Sequence, residues 1–251
     1  MAVMEFHRAN LLNTTTMLRV DANQTSTAQY LFDKNRRLGF SSSGYNSTTA
    51  TTISVQFATP TVVSHVFMIG HNIRDYILYY NSATGNSLAS STTNSGTSTY
   101  FSFASTTVNS IQIQLNNTIA GSVEKSINEL VVTERQYVFE RNPPIDDFRY
   151  AIRRKQIKHE MPDGGVVLFN VRDKYTAEIT ASFFSQSSYD TLFGIFDAAL
   201  PLYFVPFPTT TGWNGQAYEC VWSGDFDFRY ATNVKSPGFT GTITIEETSA
   251  T

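Results

Sequence analysis

The sequence predicts a mainly β protein of two β-sandwich domains: an N-terminal jelly roll with an arm over residues 1–135, and a C-terminal sandwich or barrel with one short helix over 136–251. Three observations carry this. The first half holds short strand patterns at regular spacing with no helical pattern between them. Charge is split unevenly: between Leu38 and Val123 the formal charges are the adjacent Arg74 and Asp75, whereas residues from Arg135 onward carry 11 Lys/Arg and 14 Asp/Glu. The second half contains one stretch with helical periodicity, set between strong strand patterns.

In the first half, residues 1–30 show no clear period; Met17–Val20 suits a short edge strand or arm, and Ala28–Asp33 one helical turn or a strand. Arg36 to Gly44 reads as a loop. Strands follow at Thr52–Phe57, Val62–Ile69, Tyr76–Tyr80, Ser98–Phe103, Ser110–Leu115 and Ile127–Thr133. Alternation is strict in the first and fifth, which marks one buried and one wet face. Ala58-Thr-Pro60 and the Asn81–Gly96 run are turn or loop material. The wet faces use Thr, Ser, Gln and Asn. Either the edges are covered by neighbours in an assembly, or these faces are simply good strand formers.

Two prolines, Pro143 and Pro144, mark the boundary. Arg153–His159 suits a strand carrying the basic cluster Arg153, Arg154, Lys155 and Lys158, and Met161-Pro-Asp-Gly-Gly165 a turn. Val166–Val171 and Lys174–Phe184 read as a hairpin, with Tyr175, Ala177, Ile179 and Ala181 inward. Residues 187–199 form the helix: Tyr189, Leu192, Phe193 and Phe196 make one stripe, Ser187 or Ser188 caps it, and Pro201 ends it. Strands Leu202–Phe207, Ala217–Trp222, Phe226–Tyr230 and Phe239–Glu246 close the domain.

Composition narrows the function. A net charge of −3 offers no global basic field for nucleic acid. The single cysteine, Cys220, rules out an internal disulfide and reads as a core thiol. The first residues lack the pattern of a secretory signal, and no apolar run reaches membrane-spanning length. No Gly-x-Ser-x-Gly elbow occurs. The acidic pairs Asp146/Asp147, Glu160/Asp163 and Asp225/Asp227 suit turns and strand faces better than a glycosidase's two positioned carboxylates. His65 and His71 flank a strand; a metal pair would need a third ligand, for which Asp75 is the only carboxylate near them in sequence, and a turn-capping or core role is the simpler reading of each histidine. No enzyme activity, metal or cofactor is therefore expected.

Two resemblances add to this. Asp33-Lys-Asn-Arg, Phe40-Ser-Ser-Ser-Gly, Ile53-Ser-Val-Gln-Phe, Pro60, Val66-Phe-Met-Ile-Gly-His-Asn72 and Tyr76-Ile-Leu-Tyr-Tyr resemble, over residues 25–134, the discoidin-like, galactose-binding family of jelly rolls. That resemblance implies a sugar- or lipid-contacting loop, for which Phe40, Tyr45 and His71 are the candidates. The order hairpin, aromatic helix, Leu202-Tyr-Phe-Val-Pro-Phe207 and Gly238-Phe-Thr-Gly-Thr-Ile-Thr-Ile-Glu246 is similar to the tail-tube-related fold of tailed-bacteriophage tail proteins over residues 140–251. It implies a distal-tail or baseplate ring subunit of six-fold symmetry, in the virion tail and assembled in the bacterial host cytoplasm. Its partners would be copies of itself and the tube, hub or fibre proteins, with Arg153, Arg154, Lys155, Lys158 and Lys174 as candidate interface residues. The alternative is a carbohydrate-binding or adhesin module contacting host glycans.

Overall fold

The computed structural model describes residues 3–12, 17–20, 25–42, 49–81, 86–121, 123–162, 164–209, 213–232 and 238–248. It is mainly β, as the sequence predicts. β2 (Met17–Val20), β3 (Phe40–Ser41), β4 (Thr51–His71), β5 (Ile73–Tyr80), β6 (Ser87–Ser91), β7 (Ser98–Thr118) and β8 (Ser126–Thr133) form one sheet in the order β3-β8-β4-β7-β5-β6, with β2 on β4. β1 (Glu5–Arg8) lies elsewhere. It joins β9 (Arg135–Val138), β10 (Phe148–Glu160), β11 (Val166–Phe184), β12 (Leu202–Val205), β13 (Tyr218–Ser223), β14 (Phe228–Ala231) and β15 (Gly238–Glu247) in a second sheet, ordered β10-β11-β15-β13-β12-β1-β9 with β14 on β15.

The first sheet makes a sandwich because β4 and β7 each run through both layers. The start of β4 pairs with the end of β7 (Ile53 with Ile113), and the end of β4 with the start of β7 (Phe67 with Tyr100). The turn expected at Ala58-Thr-Pro60 is instead a register shift inside β4, between Gln56 and Thr61. A proline has no ladder N–H to give, and an irregularity of this kind is where a strand tolerates one. Ile53, Val55, Ile111, Ile113 and Leu115 of one layer meet Val66, Met68, Leu130 and Val132 of the other in the first core. Gly70, at the end of β4, has φ of 64°, and a Cβ there would stand 2.5 Å from the Asn128 amide nitrogen, so only glycine fits.

The second sheet bears a core of its own, with Phe6, Phe204, Ile179, Ile243, Ile245, Phe184 and Cys220. The inward set Tyr175, Ala177, Ile179 and Ala181 is buried as expected, and so is the Cys220 thiol. The helix, α1 (Gln186–Ala198), closes one side. Ser185 is its N-cap, accepting from the Ser188 backbone N–H at 3.2 Å, two or three residues earlier than the sequence suggests. Its buried positions are Ser188, Leu192 and Ile195; Phe193 is exposed, so the stripe is rotated from the expected one.

Two expectations are corrected. Val166–Phe184 is one continuous strand, and its hairpin partner is β10, with the turn at Met161–Gly165. Arg172-Asp173 offers no glycine for a tight reversal, whereas Gly164 takes φ of 84° in the actual turn. The expected first domain, 1–135, loses its opening strand: β1 alternates Phe6 into the second core and Glu5 and His7 away from it, and pairs with β12 and β9. A four-residue strand carrying two polar side chains has no hydrophobic period to announce it.

The two sandwiches meet in a third, smaller core. Phe67, Ile69, Tyr100 and Val131 from the first pack on Tyr203, Val205, Trp213 and Ala217 from the second. Both faces of the second half of β4 are therefore buried, from Val63 to Ile69, which explains the apolar run Val66–Ile69. Polar ties cross the same seam. Arg36 Nε donates to Glu129 Oε2 at 2.5 Å and its Nη2 to the Ala217 carbonyl, and the Tyr203 hydroxyl donates to Glu129 Oε1 at 2.9 Å. Lys34 pairs with Glu219 at 2.6 Å.

Candidate functional site

The most conspicuous surface feature is the outer part of the β10–β11 hairpin. β15 pairs with β11 only from Thr176 onward. The stretch from Val166 to Lys174 is paired only with β10, a two-stranded ribbon reaching roughly 30 Å beyond the sheet at about 3.4 Å per residue. Isolated two-stranded ribbons are marginal in water. This one also exposes large apolar side chains: Leu168 is 57 % exposed, Phe169 53 % and Ile152 66 %, with Ile157, Met161, Val166 and Val167 beside them. Exposed apolar surface of this kind marks an interaction site.

The expected interface residues lie along this ribbon. Arg154 makes a two-pronged pair with Asp173 (2.9 and 3.0 Å), Lys158 reaches Glu160 at 2.7 Å, and Lys174 stands 3.5 Å from Glu246. Arg153 sits opposite Lys174 in register. Lys155 is opposite Arg172 in the ladder; its side chain lies outside the described residues. β10 is the terminal strand of its sheet, and a charged edge resists unselective pairing with another strand. The basic cluster thus has a local physical role whatever docks there.

Of the three expected ligand-loop residues, two are described. Phe40 is fully buried, paired with Ile127 in the first core, because β3 closes that layer. Tyr45 lies outside the described residues. His71 is buried with both ring nitrogens engaged: it faces Thr99 Oγ1 at 2.7 Å through Nε2, and Nδ1 accepts from the Ile73 N–H at 3.1 Å. Neither Phe40 nor His71 offers a face to a sugar. A groove of about 710 Å³ lies instead where the arm meets the second sandwich, lined by Asn10, Gln29, Tyr30, Phe32, Asp33 and Glu219 among others. No spacing in the sequence joins those positions.

Burial pushes the His71 imidazole down to about 4. A protonated ring would also turn Nδ1–H against the Ile73 N–H. The folded value lies below the unfolded one, so stability is full above about pH 6.5 and is lost as pH falls toward 4, by roughly 3 kcal/mol in total. His71→Gln is expected to flatten this part of the profile. Melting temperatures of the two proteins at pH 7.5 and 4.5 check it: an equal drop in both would refute the assignment.

A second cluster lies buried at the seam. Glu5 and His7 project from β1 toward β4, which brings His65. His7 Nε2 is 3.0 Å from Glu5 Oε2, the Tyr100 hydroxyl donates to that same oxygen, and Arg135 Nη1 donates to Oε1 at 2.9 Å. His65 Nδ1 is 2.7 Å from Ser64 Oγ, which also accepts the Arg135 N–H at 2.9 Å. Burial alone would raise the Glu5 carboxyl, but hydrogen bonds from His7 and Tyr100 outweigh it and hold the group at about 2. Burial lowers both imidazoles, His65 to about 3. The sequence offered His65 with His71; the fold pairs it with His7 instead, 58 positions away by number.

No family model and no curated protein matches the sequence. Among solved structures, half of the chain is similar to carbohydrate-binding modules. A chitosan-binding module 1 of the chitosanase/glucanase from Paenibacillus sp. IK-5 is 15% identical, with a TM-score of 0.44, covering 51% of this chain and 100% of that one. Chitosan-binding module 2 of the same enzyme, in complex with chitotriose, is 14% identical (TM-score 0.41; 48% and 97% covered). The family 32 module of Clostridium perfringens NanJ, in complex with galactose, is 17% identical (TM-score 0.42; 50% and 98% covered). The jelly-roll assignment itself rests on the strand order described above. Among the described residues no helix is long and apolar enough to cross a membrane.

Proposed function

We propose that this chain is a non-catalytic structural subunit that joins a larger assembly through the β10–β11 ribbon. The observation that carries this reading is the ribbon itself: a strand pair extending past its sheet, with Ile152, Leu168 and Phe169 half exposed or more. An exposed apolar ribbon is stabilised by covering it, and a neighbouring subunit supplies that cover. The similarity of residues 140–251 to tail-tube-related proteins makes a phage tail tip or baseplate ring the assembly we favour, with copies of the chain and other tail proteins as neighbours.

The purified chain should form higher oligomers by mass photometry, alone or with tail-tube and hub proteins. Leu168→Asp with Phe169→Asp should leave the circular dichroism spectrum and melting point nearly unchanged, since both side chains are exposed, and should abolish assembly. Reversing charge at Arg153, Arg154 and Lys155 should weaken assembly more than it shifts melting. A wild-type chain that stays monomeric with all such partners would overturn this function.

A second reading is favoured by the groove near Tyr30 and Phe32. Aromatic faces beside amides and carboxylates are the chemistry of a sugar site. Structural neighbours of half the chain carry chitotriose or galactose. In this reading the chain is a glycan-binding or adhesin protein. A glycan array probed with the wild type and with Tyr30→Ala decides it: binding that Tyr30→Ala removes supports it, and an array without hits sinks it.

A further inference from the structure

The cluster of Glu5, His7 and His65 has no part in the function proposed above. The three residues come from strands of different sheets and are 5 %, 0 % and 1 % exposed. One donor atom from each lies within 4.8 Å of the others. We propose that this cluster binds a divalent transition ion of the zinc class, pinning β1 of one sandwich to β4 of the other.

Three observations carry it. The first is the donor set: two imidazoles and a carboxylate form a set that zinc-class ions take readily. The 3.0 Å between His7 Nε2 and Glu5 Oε2 suits two ligands of one ion with bonds of about 2.0–2.2 Å.

The second is the surrounding support. Ligating histidines usually have their other nitrogen held by an oxygen, and ligating carboxylates are themselves hydrogen-bonded. His65 Nδ1 is held by Ser64 Oγ, and Glu5 by Arg135 and Tyr100. His65 Nε2 is thereby left as the coordinating atom.

The third is that Nε2 of His65 is buried with no hydrogen-bond partner. Buried polar atoms left unpaired are rare, and a bound ion is one of the recognised reasons for them. An ion gives His65 Nε2 the partner it lacks. The Arg135 side chain is 40% exposed, so water screens its charge from the ion.

This ion would be structural. All three donors are enclosed, so no open position faces a substrate, and binding energy would appear as stability.

The test uses the full chain stripped with EDTA and then titrated with Zn²⁺ and, separately, Co²⁺. One equivalent per chain is expected by calorimetry, with a visible Co²⁺ ligand-field spectrum and a higher melting temperature that EDTA reverses. His65→Gln should weaken binding more than tenfold, and Ser64→Ala by ~10–100-fold. His71→Gln and His159→Gln should bind like wild type, since neither residue belongs to the cluster. If His7→Gln or His65→Gln fails to fold, the wild-type Co²⁺ spectrum and Ser64→Ala decide the matter. Absence of stoichiometric binding by the stripped wild type overturns the proposal, as does binding lost in His159→Gln but kept in His65→Gln.

Discussion

Ile179→Asp is expected to unfold the second sandwich. Ile179 is fully buried in β11, opposite Phe148 on one side and Ile243 on the other, so no solvent route exists for a carboxylate. The substitution removes an apolar side chain, costing about 2–5 kcal/mol when a buried isoleucine is cut back to alanine size. It also buries a charge with no cation among the inward-facing neighbours of the strand, and such a group either costs several kcal/mol or takes up a proton. Domains of this size are stable by about 5–15 kcal/mol in total, so the sum removes most or all of it. Near-UV circular dichroism and limited proteolysis should show loss of fixed packing in residues 136–251. The neighbouring outward residue supplies the control: Glu178→Asp, on the exposed face, should melt within about 2 °C of wild type. An Ile179→Asp protein with wild-type melting would disprove the register of β11.

Arg36→Met is expected to loosen the seam. Arg36 donates to Glu129 and to the Ala217 carbonyl, and so ties the loop before β3 to β8 and to the segment leading into β13. Glu129 is 3 % exposed, and among the described residues its carboxylate keeps the Tyr203 hydroxyl once the guanidinium is gone. Removing one member of a buried ion pair leaves the other charge uncompensated, at a cost of about 3–5 kcal/mol. Glu129→Gln in the Arg36→Met background should recover much of that, because a neutral amide tolerates the site. Guanidinium titrations followed by the fluorescence of Trp213, which is 3 % exposed at the seam, give all four corners of the cycle. Strict additivity of the two substitutions would show that the pair is not coupled.

Part of this molecule was legible residue by residue. The alternation of Tyr175, Ala177, Ile179 and Ala181 named the buried face of β11, because the period of a strand is two and polar residues between them mark the wet side. The helix was visible from its apolar spacing, and only its cap and the rotation of its stripe were misplaced. Both errors are local: Ser185, Ser187 and Ser188 are equally good caps by type, and the choice depends on where the strand before them ends. Phe40 and His71 could be offered for a ligand loop because aromatic and imidazole side chains are common both in cores and at binding sites; the core role that was the simpler reading of His71 is the one it has.

By itself the sequence determined which half is a nearly uncharged jelly roll and which an ordinary charged sandwich, where most strands lie, and that Cys220 is a core thiol. Those are properties of period and composition, and a strand carries them alone. Tertiary structure alone decided that β1 crosses to the second sheet, that β10 and not the first part of β11 pairs to make the hairpin, and that Glu5, His7 and His65 meet. The first and third depend on pairing between segments far apart in the chain, and the second on which of two neighbouring segments supplies the turn. Pairing is chosen by the fit of whole faces, and a four-residue strand such as Glu5–Arg8 contributes too little apolar surface to reveal its partner in advance.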